Sequence, residues 1–109
     1  MLANIQAEDF MPLLGQPCLM CNEQFAAGIT LHIQAIRLRP LAQLPGSARS
    51  PFVVELAMPE PAPMGDLQGQ LRLPAAVGGP EITLDEVWVG RVAAAGRDPA
   101  WAYFQLPFN

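Results

Sequence analysis

Apolar and polar residues alternate along most of this chain with the two-residue period of a half-buried strand. In Thr30 to Ala35, Leu31, Ile33 and Ala35 share one face while His32 and Gln34 share the other. The phase then flips, leaving Ile36 and Leu38 apolar and Arg37 and Arg39 polar. One inserted residue exchanges the faces of a strand, so the slip predicts a β-bulge near residues 35–36. Phe52, Val54, Leu56 and Met58 predict a second strand; Leu67, Leu71 and Leu73, opposite Gln68, Gln70 and Arg72, predict a third. Ile82 and Leu84, then Val87 and Val89, predict a fourth with another slip near Asp85 and Glu86. Residues 100–106 predict a last strand, with Ala102, Phe104 and Leu106 on one side and Trp101, Tyr103 and Gln105 on the other. A short strand over 18–22 completes six.

Turn chemistry separates these pieces. Leu44-Pro45-Gly46-Ser47, Gly78-Gly79-Pro80 and Gly96-Arg97-Asp98-Pro99 preset bends, and Pro59-Glu60-Pro61-Ala62-Pro63 lacks three amide donors and predicts an extended, solvated loop. The helical candidate spans 9–14; Pro12 limits it to one or two turns and Gly15 ends it. The expected architecture is all-β: a small antiparallel six-stranded barrel or sandwich with one short N-terminal helix, in a single domain over 1–109.

Composition narrows the chemistry. With 109 residues, 51% hydrophobic and 15% charged, the chain is globular and large enough for one core. A net charge of −4 and six scattered arginines argue against nucleic acid, which attracts basic stripes. The absence of lysine removes both the phosphate-loop lysine and Schiff-base catalysis. No apolar run approaches the roughly 20 residues of a membrane span, and the opening residues have no positive region of the secretory type. The expectation is a cytoplasmic protein with no membrane partner.

No motif carries a reaction. Cys18-Leu19-Met20-Cys21 is half a zinc site, with His32 the only histidine, and an extended strand puts the two thiols on opposite faces. Free thiols, with at least one buried, are expected. His32 sits on a polar strand face with no nucleophile placed beside it by any local pattern, and reads as an exposed histidine. Asp85 and Glu86 read as a bulge or strand edge rather than a shared-proton dyad. Thus no enzyme, cofactor or metal is expected.

The aromatic residues are more informative. Trp101 and Tyr103 oppose Phe104 and Leu106, and Trp88 opposes Val87 and Val89, so both faces of the last two strands want cover. That cover is either the chain's own N-terminal helix or a second molecule. Trp88, Trp101 and Tyr103 are the candidate interaction surface, since Trp and Tyr are favoured interface anchors. A sugar-stacking platform would need flanking polar groups that the sequence does not locate.

Ala7-Glu8-Asp9-Phe10, Leu13-Leu14-Gly15, Arg49-Ser50-Pro51-Phe52, Leu67-Gln68-Gly69-Gln70-Leu71-Arg72-Leu73 and Tyr103-Phe104-Gln105-Leu106-Pro107-Phe108-Asn109 together resemble a family of small bacterial all-β domains of unknown function. The resemblance covers nearly the whole chain. Leu56 stands where the family has phenylalanine, Leu71 where it has tyrosine, and the ending is one residue longer. It implies a small all-β fold, no known activity and no catalytic residues to transfer. It also implies encoding beside phage tail-collar-like fibre proteins, hence a structural role next to a fibre protein. The function expected is a non-enzymatic interaction or assembly module with a tail-fibre-like protein partner or a second copy of itself. A small-molecule or carbohydrate-binding β-barrel is the alternative.

Overall fold

Every strand that period-two alternation predicts forms, and the six close into one barrel. The computed structural model describes residues 5–39, 45, 51–59, 65–74 and 81–108. The predicted bends at 44–47 (Pro45 apart) and 78–80, and the proline-rich stretch beyond Pro59, lie outside these residues. The strands are β1 (Pro17–Cys21), β2 (Ile29–Leu38), β3 (Phe52–Pro59), β4 (Leu67–Leu73), β5 (Ile82–Val92) and β6 (Trp101–Phe108). They are hydrogen-bonded in the closed order β1-β2-β3-β6-β5-β4, each pair antiparallel. The architecture is therefore a barrel rather than a sandwich. No helix among the described residues is long and apolar enough to cross a membrane.

Inward positions fill the barrel. Leu31, Ile33, Leu56, Leu71, Val89 and Phe104 are fully buried, and no polar or charged side chain is buried among the described residues. A six-stranded barrel is narrower than the eight-stranded size at which side chains just fill the interior, so its lumen is core rather than cavity.

Both phase slips are bulges. The β2–β3 register shifts between Ile33 and Ala35, so Gln34 is the extra residue and the bulge lies one position earlier than expected. Ala35 is thereby placed on the outer face with Glu55, and Ile36 pairs with Val54. On β5 the slip falls as predicted: Leu84 pairs with Leu71 and Val87 with Gly69, so Asp85 and Glu86 together oppose Gln70. Glu86 takes φ 53°, the left-handed geometry that absorbs the extra residue.

Helix α1 (Ala7–Phe10) and a 3-10 turn over Met11–Leu13 replace the helix expected at 9–14. The helix starts earlier because the Asp9 carboxylate accepts the Gln6 N–H at 2.7 Å, anchoring its first turn. Pro12 confines the continuation to the tighter 3-10 form. Gly15, at φ 82°, then turns the chain so that its N–H donates to the Ile33 carbonyl at 2.7 Å. These elements carry Phe10 and Leu13 into the core. The Phe10 ring lies 6.0 Å from Phe52 and 5.6 Å from Phe108, which stack at 4.6 Å. The helix thus closes the barrel end where β3 begins and β6 finishes.

Candidate functional site

Trp101 and Tyr103 stand on the outer face of β6, and the chain itself packs against both. Tyr103 is buried, with the Arg97 guanidinium 3.9 Å from its ring centroid. Its hydroxyl donates to the Asp98 carbonyl at 3.0 Å, as at the tyrosine corners of β-sandwiches. Trp101 is half-buried, its ring edge-on to His32 at 6.1 Å. His32, expected to be exposed, is half-buried by that contact.

The cover over Tyr103 is the β5–β6 connection, not the N-terminal helix. Ala95 and Gly96 take left-handed φ values of 51° and 89°, turning the connection back over the sheet. Arg97 then locks it: Nε donates to the Ala94 carbonyl at 2.8 Å and Nη2 to that of Ala93 at 2.9 Å. Glu55, the lone charge in β3, draws in two arginines, Arg37 at 2.7 Å and Arg97 at 3.6 Å. The helix is unavailable for this task because Phe10 and Leu13 are committed to the barrel end. Tyr103→Phe keeps the ring under Arg97 and deletes one hydrogen bond. It should cost about 1 kcal/mol in urea unfolding, while Tyr103→Ala should cost about 3 or more.

Trp88 has a different setting. It is 57% exposed on the outer face of β5, opposite Gln68 of β4, and has no ring, cation or hydrogen-bond partner among the described residues. The three aromatic residues do not form one patch. Gly90 pairs with Gln105, so Trp88 stands level with Pro107, six residues along β6 from Trp101. At about 3.3 Å per residue that is roughly 20 Å along the strand. Trp88→Ala should change stability by less than about 0.5 kcal/mol, measured as an unchanged urea midpoint.

Polar groups that sequence reasoning missed lie near Trp88. Asn22, Glu23, Gln24, Asp66, Leu67 and Gln68 line an open groove of about 530 Å³. Asn22 organises it, donating from Nδ2 to the Gln68 carbonyl at 3.1 Å and accepting the Phe25 N–H at 2.8 Å. Asp66 accepts the Arg91 N–H at 2.8 Å, which ties the groove to β5. The signal was available in part: Asn22-Glu23-Gln24 is a polar run directly after a strand, but only the β1–β4 register brings it beside Asp66 and Gln68.

The two cysteines are free, with Cys18 buried in the wall of β1 and Cys21 partly exposed. Burial pushes the Cys18 thiol up from its ordinary 9.0 to about 12. Below pH 9 the thiol is protonated in both states and the stability is undiminished; above it only the unfolded chain gains by ionising. Stability therefore falls as the pH rises from 9 towards 12. The expected loss between pH 8 and pH 10 is about 1.4 kcal/mol in urea unfolding, absent in Cys18→Ala. No group of three His, Cys, Asp or Glu among the described residues is placed to hold a metal ion. The chain matches no protein-family model, no curated protein and no solved structure.

Proposed function

We propose that this chain is a non-enzymatic interaction or assembly module, acting in the cytoplasm as an accessory to a phage-tail-like fibre protein. The observation that carries the reading is Trp88, an exposed indole with no partner among the described residues, on the outside of a barrel whose other described aromatic rings pack against the chain. Tryptophan left open on a rigid strand is the side chain that anchors protein interfaces most often. The filled interior supports the same reading, because it leaves the outer surface to do the recognising. Purification of the tagged protein from its source cells in mild salt, with mass spectrometry of what accompanies it, tests the proposal. A stoichiometric fibre-like structural protein is the expected result; recovery of the domain alone contradicts it.

One observation favours carbohydrate binding as a second reading. Gln68, the cross-strand neighbour of Trp88, also lines the polar groove with Asn22, Glu23, Gln24 and Asp66. A ring for stacking beside amides and carboxylates for hydroxyl groups is the usual equipment of a sugar site. Oligosaccharides that shift Trp88 emission, with no protein partner recovered, would favour it.

A further inference from the structure

We infer that the open edge of β5 takes an extended, arginine- or lysine-bearing segment of a protein partner by strand addition. This deepens the interaction reading above and rests on it.

The edge follows from the registers. From Ile82 to Val89, β5 pairs with β4 on one side. On the other side β6 meets it only at Gly90, Arg91 and Val92. Continuing that ladder would place Pro107 opposite Trp88, and proline has no N–H to offer. Among the described residues no strand lies along this side of 82–89, so alternate backbone N–H and C=O groups there point away from β4 without a ladder partner.

Charge and aromatic chemistry select the occupant. Asp85 and Glu86 are both exposed at the bulge, immediately before Trp88. Asp85 accepts a hydrogen bond from Gln70 Nε2 at 2.9 Å, whereas Glu86 has no partner among the described residues. Edge-to-edge pairing with a second copy would bring these carboxylates towards each other in a chain of net charge −4 that has no lysine. A basic strand meets no such repulsion. The chain's own Arg91 and Arg97 sit over Phe104 and Tyr103, leaving the Trp88 face for a cation from outside. Strand addition supplies backbone hydrogen bonds, and Glu86 with Trp88 supplies the preference for a cationic side chain.

The probe is a soluble peptide of alternating arginine and valine. Controls are a glutamate–valine peptide and a block peptide with the same arginines and valines segregated. Tryptophan emission and backbone amide exchange of the intact protein are the readouts. The alternating basic peptide should shift Trp88 emission and slow exchange between Ile82 and Val89 by about tenfold or more. Trp88→Ala and Glu86→Arg should each weaken binding by roughly tenfold, with melting temperatures unchanged. Equal binding of the block peptide would mean charge attraction alone and overturn the inference. So would amides of 82–89 that are all slow to exchange in the free monomer, which would mean that the chain covers this edge. If no peptide binds while a stoichiometric partner is still recovered from cells, the interaction reading stands and its placement on β5 falls.

Discussion

Phe10→Ala will lower the melting temperature by roughly 15 °C, the largest effect expected from any side chain outside the strands. The ring is fully buried and touches both Phe52 and Phe108, so truncation removes an apolar side chain and two aromatic contacts together. A buried Phe→Ala change costs about 3–5 kcal/mol, and a four-residue helix with one 3-10 turn has little means of collapsing onto the void. Thermal unfolding by circular dichroism measures the loss. Phe10→Leu, which refills most of the space, should recover more than half of it. An Ala variant that melts with the wild type would show that α1 is an ornament on the barrel and not its plug.

Gly69→Ala should cost about 3 kcal/mol, for a backbone reason. A Cβ at Gly69 would overlap the carbonyl oxygen of Cys21 and come within 2.9 Å of the Asn22 Cβ. Neither atom can swing aside, because Cys21 is held in the β1–β4 ladder opposite Gln70. Relief requires opening the seam that closes the barrel. Gly65→Ala is the matched control: a Cβ there meets nothing within 4 Å, and stability should be unchanged. Urea unfolding of the pair separates close approach from the general entropic effect of replacing glycine. Equal midpoints for the two variants would contradict the close packing of β1 against β4 at Gly69.

The strands were legible because one face of each is buried, which imposes a period of two on the residues themselves. The bulges were legible for the same reason: a slip such as Leu84 to Val87 has no other simple cause. Neighbour relations were not legible. Nothing in 17–21 or 67–73 says that β1 lies against β4, because each would alternate identically beside any other strand. The cover over Tyr103 was hidden for a related reason, since Ala93, Ala94 and Ala95 have no pattern that marks them as a strap. A clue existed in Glu55, a charge amid Val53, Val54, Leu56 and Ala57, which needed cationic partners from elsewhere. Trp88, Trp101 and Tyr103 looked alike in sequence as outward aromatics. They separate only because β5 pairs with β6 over three residues, leaving Trp88 with no strand on that side among the described residues and the other two beneath or beside the chain.

Because the two tryptophans stand apart, substituting each in turn locates the partner contact. Tagged wild-type protein, Trp88→Ala and Trp101→Ala are purified side by side from source cells, and the recovery of any stoichiometric partner is compared. The Trp88 variant should lose the partner by roughly tenfold or more while melting like the wild type, and the Trp101 variant should keep it. Retention by the Trp88 variant with loss by the Trp101 variant would put the contact on the His32–Trp101 corner and rule out Trp88 as the anchor.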